Sequence, residues 1–276
     1  MRTIKFSLIF LSMLIYLILG ALVRLILIRA NPYKTVKAVN CLTKYLMRTF
    51  TAIGGMTITV SGEKDILKEK GLFIISTHTG YLDGVILGTL VPGSFVTKNE
   101  IKKAPFLGKV VSVGGSIFID RTKKNHVVQY LNEMADRLKN GINVFNFPEG
   151  HATDGSKILS FFAAFFDAPI KARAAIVPIT IDYTQVNGNA HFDRDEVYCY
   201  DGKVGIIKHL WKFLKLKTID VTVTVHEKIM PNGHNPDSKA RKLLSGLCMQ
   251  RLSQYKNLSI SDEPISQRFT ALSTKA

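Results

Sequence analysis

Cysteine is scarce in this chain, with only three in 276 residues, at positions 41, 199 and 248. No two of them have the C-x-x-C spacing of a redox pair or a zinc ligand set, and their scattered positions give no disulfide framework. The sequence therefore indicates neither a disulfide-stabilised scaffold nor a cysteine-bound metal. Its length instead suits one sizeable α/β domain with its own hydrophobic core and an additional segment.

Acidic residues are also few. Aspartate and glutamate number 21 against 37 lysines and arginines, which leaves a formal net charge of +16 at pH 7. An excess of this size predicts an anionic partner, either nucleic acid, membrane phospholipid or an acidic substrate. No recognisable nucleic-acid-binding motif occurs in the chain. Two classes of function therefore stay open: an enzyme and, as the alternative, a basic, non-catalytic protein that binds membrane or nucleic acid.

Charge is absent altogether from residues 6–23, an apolar run of 18 residues. Basic residues flank this run on both sides, Arg2 and Lys5 before it and Arg24 and Arg29 after it. The length reaches the lower limit for a helix that spans a membrane. Basic flanks equally suit a helix that lies in one leaflet while its arginines reach the headgroups. The sequence predicts membrane attachment and leaves spanning and monotopic arrangements open.

The rest of the chain divides into two patterns. After a break at Asn31-Pro32, a basic amphipathic stretch at 35–53 predicts the second helix of a membrane-associated hairpin. Beyond Gly55, helical stretches alternate with predicted strands at 73–77, 94–97, 116–120, 143–147, 175–183 and 219–226. This alternation predicts a layered α/β domain around a mostly parallel sheet. We expect membrane-associated helices at 1–55, the α/β domain at 56–230, and a C-terminal helix with a disordered tail at 231–276, in which the tail begins at Ser261.

A histidine and an aspartate stand five residues apart, directly after the apolar run at 72–75. On a single helix, His78 and Asp83 would point about 140° apart and would not meet. They can meet if His78 ends a strand, Gly80 makes the turn and Asp83 lies in the first turn of the next helix. Histidine beside a carboxylate forms a general base that works near neutral pH. An aspartate in this position is also a common helix cap.

Three later segments carry notable residues in or after predicted strands. Arg121 follows the strand at 116–120 and could hold a phosphate, or it could be part of a basic surface run. Glu149, in a Phe-Pro-Glu-Gly turn, could bind a substrate hydroxyl or be a polar turn residue. Pro178 interrupts ladder bonding in the strand at 175–183, which predicts an edge strand or a bulge near a site.

Taken in order, these segments resemble the four motifs of the glycerolipid acyltransferases, the family of 1-acyl-glycerol-3-phosphate acyltransferases. The matching segments are His78-x4-Asp83, Ile117-Phe118-Ile119-Asp120-Arg121, Phe147-Pro148-Glu149-Gly150 and Ile176-Val177-Pro178-Ile179. The resemblance covers roughly residues 72–183, and the preceding membrane helices also fit the family. It implies a layered acyltransferase sheet flanked by helices, with a reaction at the cytoplasmic face of the membrane.

The resemblance also implies a role for each residue. His78 would take the proton from the free hydroxyl of a lysolipid, and Asp83 would orient the ring and stabilise the imidazolium. The hydroxyl would attack an acyl thioester of coenzyme A or acyl carrier protein directly, without an acyl-enzyme. Arg121, Glu149 and Gly150 would hold the acceptor. The family requires no metal and no permanently bound cofactor. The expected partners are membrane phospholipids, the lysolipid and the acyl donor, and not nucleic acid.

The sequence departs from the family at a point that bears on the acceptor. The family usually continues Pro-Glu-Gly with Thr-Arg, whereas this chain has His151-Ala152. The missing arginine is expected to contact a phosphate, and Lys157 or Arg173 is a candidate replacement. The later stretch 198–211 is similar to bacterial members that acylate lyso-ornithine lipid. Lysophosphatidate, giving phosphatidic acid, is the default acceptor, and lyso-ornithine lipid is the alternative.

Two further stretches have competing interpretations. Residues 191–196 crowd histidine and acidic side chains, but the interleaved arginine favours a solvated loop over a metal site. Residues 203–217 combine apolar side chains and one tryptophan with lysines. This stretch predicts either a helix at an anionic membrane surface or a helix packed on the sheet with a basic outer face.

Overall fold

A computed structural model describes residues 2–27, 29, 31–120, 126–199, 205–231, 233 and 235–261. Within these residues, seven strands form one sheet in the order β1-β7-β6-β2-β5-β3-β4. Their bounds are β1 Met56–Gly62, β2 Phe73–Ser76, β3 Gly93–Lys98, β4 Ile117–Ile119, β5 Asn143–Asn146, β6 Ile176–Val186 and β7 Ile219–Val225. Neighbouring strands are parallel except for β6 and β7. The prediction of a mostly parallel sheet is confirmed.

Helices cover both faces of this sheet. Their bounds are α1 Arg2–Ile26, α2 Pro32–Gly54, α3 Tyr81–Leu90, α4 Asn99–Lys102, α5 Leu107–Val113, α6 Val127–Lys139, α7 Asp167–Ala172, α8 Ile206–Phe213 and α9 Ser238–Lys256. One face packs against α2, α3 and α8, with Leu82 and Phe213 buried there. The other packs against α6, α7 and α9, with Leu131 and Leu244 buried. Because β2 and β5 are covered on both faces, all their residues are buried.

The structure contains every strand predicted from the sequence and one more. β1 escapes the sequence pattern because it is a half-exposed edge strand in which polar residues alternate with apolar ones. The prediction of an edge strand at Pro178 is wrong, since β6 pairs with β2 on one side and β7 on the other. The proline is tolerated because the β6–β7 ladder begins one residue later, at Ile179 opposite Val225. The bulge lies farther along, between Tyr183 and Gln185.

The helices α1 and α2 form the predicted hairpin. The second begins at Pro32 itself, because Asn31 caps it by accepting the Tyr33 N–H at 2.8 Å and proline suits a first helical turn. The hydroxyls of Tyr16 and Thr43 join the two helices at 2.9 Å. The helix α1 is long and apolar enough to cross a membrane, and only 17% of its most apolar window is buried.

The predicted C-terminal helix is α9. Asp237 caps it by accepting the Ala240 N–H at 2.7 Å. Ser261, which the sequence places at the start of a disordered tail, is instead buried and donates its N–H to the carbonyl of Ile158 at 2.8 Å. Residues 262–276, and with them the prediction of a disordered tail, lie outside the described residues.

Candidate active site

The histidine and aspartate singled out in the sequence meet at the carboxyl end of β2. The strand ends at Ser76, His78 follows two residues later, and Asp83 lies in the first turn of α3. The His78 Nδ1 atom is 3.1 Å from Asp83 Oδ2. The turn requires glycine at position 80, because a Cβ there would lie 2.7 Å from the backbone nitrogen of Cys199. The strand–turn–helix geometry predicted from the sequence is confirmed.

Asp83 is nearly fully buried, at 2% exposure, and receives several hydrogen bonds besides that of the histidine. The N–H groups of Thr79 and Gly80 donate to Oδ2 at 2.5 and 3.0 Å. The hydroxyls of Thr79 and Tyr183 donate to Oδ1, each at 3.1 Å. The carboxylate therefore caps α3, by accepting the N–H of the N-cap residue Gly80, and is also the partner of the histidine, so the two interpretations of the sequence hold together.

These contacts determine which groups are ionised. Burial by itself would raise the pKa of Asp83, but the hydrogen bond and charge of His78 and the N–H donors of Thr79 and Gly80 lower it overall. Burial and the negative charge of Asp83 raise the pKa of Tyr183 well above its ordinary value. Asp83 thus stays a carboxylate while Tyr183 stays a neutral donor.

The His78 ring is held by more than its aspartate. It stacks on Phe147, with ring centroids 4.1 Å apart and planes 16° from parallel. Its backbone carbonyl accepts the Thr153 N–H at 2.8 Å. An ionised Asp83 selects the tautomer with hydrogen on Nδ1, which leaves Nε2 as the nitrogen that can accept a proton. The His78 side chain is 21% exposed, so solvent reaches the imidazole that carries Nε2. Such an arrangement can serve as a preoriented general base, a role that stays a prediction for His78.

Glu149 anchors the backbone beneath this base. It is fully buried, and its two carboxylate oxygens accept the N–H groups of His78 at 2.8 Å and Leu159 at 2.9 Å. The turn that carries it closes with a 3.0 Å bond from the Gly150 N–H to the Phe147 carbonyl, and Gly150 has the positive φ of 86° that favours glycine. Contact of Glu149 and Gly150 with the acceptor stays a prediction.

Replacing Glu149 by glutamine is expected to destabilise the fold. One carboxylate oxygen becomes an NH2 group that faces a backbone N–H, so a buried donor loses its acceptor, at a cost of about 1–3 kcal/mol. The thermal unfolding midpoint should therefore fall. Glu63→Gln is a matched control, because Glu63 is exposed. Equal midpoints for the two variants would contradict the anchoring role of Glu149.

The structure treats the predicted phosphate-binding residues differently. Arg121 lies outside the described residues. Arg173 lines a cavity with Lys70 and Leu72, at the start of β2, whereas His78 follows the end of that strand. Arg173 is therefore at the wrong end of the sheet to replace a phosphate ligand. Lys157 is exposed on the loop whose Thr153 contacts His78, so it stays a candidate.

Sequence reasoning missed four residues that shape the site: Thr79, Phe147, Thr153 and Tyr183. Thr79 and Phe147 lie inside motifs already recognised, so their positions carried a signal. Tyr183 is 100 residues from Asp83 and had none. Among the described residues, no three His, Cys, Asp or Glu side chains gather closely enough to hold a metal ion. The stretch 191–196 contains only a short 3-10 turn with exposed or half-exposed side chains.

Comparisons with known proteins agree with this fold and motif set. Residues 57–182 match the sequence model of the family described as Acyltransferase. The chain is similar to the 1-acyl-sn-glycerophosphate (LPA) acyltransferase PlsC of Thermotoga maritima, with a TM-score of 0.58 and 21% identity over 93% of this chain and 98% of the other. That likeness shows the fold.

Two curated relatives carry names that differ in the acceptor. The lyso-ornithine lipid O-acyltransferase of Rhizobium meliloti is 27% identical over 220 residues, which are 76% of this chain and 73% of that protein. The 1-acyl-sn-glycerol-3-phosphate acyltransferase of Neisseria gonorrhoeae is 29% identical over 154 residues, which are 56% of this chain and 58% of that protein. By its motifs, its fold and the family match over residues 57–182, the chain is an acyltransferase that resembles the 1-acylglycerol-3-phosphate O-acyltransferases.

Proposed function

We propose that the chain transfers a fatty acyl group from acyl-CoA or acyl-ACP to the free hydroxyl of a lysolipid at the cytoplasmic face of the membrane. The observation that carries this proposal is the 3.1 Å contact between His78 and a buried aspartate at the carboxyl end of β2. In open α/β sheets, ligands bind at the carboxyl ends of strands. No cofactor is needed, because the acyl thioester is already activated.

The proposed reaction is one direct displacement. His78 Nε2 removes the hydroxyl proton as the oxygen attacks the thioester carbonyl, and Asp83 stabilises the imidazolium that forms. The tetrahedral intermediate then expels the thiolate, which takes the proton back from His78. The acyl C–S bond is thereby exchanged for a C–O bond, and no acyl-enzyme forms.

The acceptor we propose first is 1-acyl-sn-glycerol-3-phosphate, which yields phosphatidic acid. Arg121, Glu149 and Gly150 are proposed to hold it, with Lys157 as the added cation. Lyso-ornithine lipid is the second candidate. It is favoured by the substitution of His151-Ala152 for the usual Thr-Arg, which removes a cation that a phosphate would need, and by the name of the Rhizobium meliloti relative.

We infer that α1 lies along the membrane surface and does not cross it. Near its start, Lys5 Nζ donates to the carbonyl of Leu216 at 2.8 Å. Near its end, Arg24 donates to the carbonyls of Ser112 and Val113 at 3.0 and 3.1 Å. A helix held to the same α/β body at both ends cannot place that body on one side of a bilayer and still span it. Within the domain division proposed from the sequence, residues 1–55 are thus a monotopic attachment.

An acceptor comparison tests the proposed function. Purified full-length chain is supplied with one acyl-CoA and, separately, with lysophosphatidate, lysophosphatidylcholine and lyso-ornithine lipid, and acylated product is measured by mass spectrometry. Phosphatidic acid as the main product is the expected result. Product from lyso-ornithine lipid alone would replace the first acceptor by the second. If no product forms with acyl-CoA, the assay is repeated with acyl-ACP as the donor. Absence of product with both donors would contradict the proposal.

A further inference from the structure

The helix α8 has three distinct faces. Its inner face is buried, with His209 and Phe213 both fully covered. A second face is apolar but exposed, with Ile207 at 79% and Trp211, four residues later, at 38%. The third face is basic and exposed, with lysines at 208 and 212, and Lys215 follows just after the end of the helix. No acidic residue occurs anywhere in 205–217. The helix therefore packs on the sheet with a basic outer face, as one of the two predictions has it, and it also presents an exposed apolar face.

The exposed apolar face of α8 is continuous with that of α1. The Trp211 ring meets the edge of the Phe6 ring at 5.8 Å between centroids, and the Arg2 guanidinium lies over the same indole at 4.2 Å. Along α1, exposed large apolar side chains occur at positions 4, 6, 8, 10, 11, 14, 15, 18, 19, 22, 25 and 26. A joint apolar surface of this extent indicates a docking site. Its basic neighbours on α8 complement an anionic layer.

The buried face of α8 reaches the active-site loop. The His209 Nδ1 atom is 3.1 Å from the hydroxyl of Tyr81, and the two rings meet edge to face. Tyr81 begins α3 and stands within the His78-x4-Asp83 segment. One helix thus connects an exposed amphipathic surface on its outer side with the catalytic loop on its inner side.

We propose that α8 is a second membrane-docking element, which inserts Ile207 and Trp211 into the headgroup region of an anionic bilayer. The lysines at 208, 212 and 215 contact the lipid phosphates, and the bond between His209 and Tyr81 holds the active-site loop at that surface. A bilayer fits better than a protein partner because the apolar face continues along α1, which is long and apolar enough to cross a membrane. The proposal rests on the membrane attachment of α1.

Trp211 reports directly on this docking, because it is the only tryptophan in the chain. The full-length protein is reconstituted into vesicles of phosphatidylcholine, or of phosphatidylcholine with phosphatidylglycerol, each containing lipid brominated near the top of the acyl chain. In the anionic vesicles we expect tryptophan emission to shift to the blue, bromolipid to quench it, and aqueous iodide to lose access. Emission that stays open to iodide and unaffected by bromolipid would overturn the proposal.

Paired lysine variants separate docking by α8 from simple proximity to α1. Lys208→Gln with Lys212→Gln should lower the docked-to-undocked ratio roughly 25-fold in anionic vesicles, at about fivefold per lysine, with little change in phosphatidylcholine. The control is Lys239→Gln with Lys242→Gln, two exposed lysines of α9, which packs on the opposite face of the sheet. Equal quenching in both double variants would contradict a role for α8.

Two outcomes distinguish this proposal from the proposed function. Acyl transfer that persists on detergent-dispersed acceptor while Trp211 stays in water would sink the docking role and leave the enzyme intact. Docking without transfer to any lysolipid would contradict the proposed function and leave the docking role intact. Protection of Trp211 from iodide that appears only when the acidic acyl carrier protein is added would identify the α8 surface as a protein site. That result also overturns the proposal.

Discussion

Replacing His78 by alanine is expected to abolish measurable acyl transfer. The variant has no group to remove the acceptor proton, a function that contributes about 10²–10⁴-fold in general-base enzymes. The fold should survive, because Asp83 retains the donors Thr79, Gly80 and Tyr183. Initial rates with saturating donor, beside circular dichroism and vesicle flotation, measure both properties.

The matched control for this variant is His191→Ala, since His191 is an exposed histidine on the stretch between β6 and α8. It should retain full activity. Near-normal transfer by His78→Ala would remove His78 from its proposed role. Loss of activity together with loss of folding would be resolved by His78→Gln, which keeps a polar side chain of similar reach at this position.

Replacing Asp83 by asparagine should produce the second-largest loss, about 10²–10⁴-fold in kcat with little change in KM. An amide can satisfy the same pocket, because its oxygen can accept the N–H groups of Thr79 and Gly80 while its NH2 donates to the Tyr183 hydroxyl. The charge that fixes the His78 tautomer and stabilises the imidazolium is nevertheless lost. A variant that is folded but slow is the expected result.

Tyr183→Phe is the graded companion of Asp83→Asn, since it removes one hydrogen bond to the carboxylate and keeps the charge. Its loss in kcat should be much smaller.

The lowered pKa of Asp83 stabilises the fold above the ordinary aspartate value of 3.8, and this stability is lost as pH falls below that value. Without the tyrosine donor the carboxylate loses one hydrogen bond that favours its charged form, so acid unfolding should begin at higher pH. An Asp83→Asn variant as active as Tyr183→Phe would show that the charge is not required.

The sheet was largely predictable because apolar runs that are buried on both faces stand out in sequence, as in β2 and β5. β1 was not, since an edge strand with alternating threonines lacks that contrast. The prediction of an edge strand from Pro178 was wrong for a related reason. Its exclusion from ladder bonding is a local property, whereas the place where β7 stops opposite it is decided by strands far apart in the chain.

The site shows the same division. The pairing of His78 with Asp83 followed from a five-residue offset and a strand–turn–helix pattern, both of which are local. Glu149 was located correctly as a motif residue, but its anchoring of the His78 backbone depends on a contact across 71 residues. Arg173 matched by charge alone, and the sheet places it at the opposite end of β2.

By itself, the sequence determined the α/β class, the N-terminal hairpin, the four motifs and the paired histidine and aspartate, because each depends on the spacing of residues near one another in the chain. Only the tertiary structure decided that α1 is held at both ends, that Tyr183 completes the Asp83 pocket, and that α8 joins an exposed apolar surface to the segment that carries His78 and Asp83. These features require hydrogen bonds and ring contacts between segments separated by about a hundred residues or more, and no local pattern encodes them.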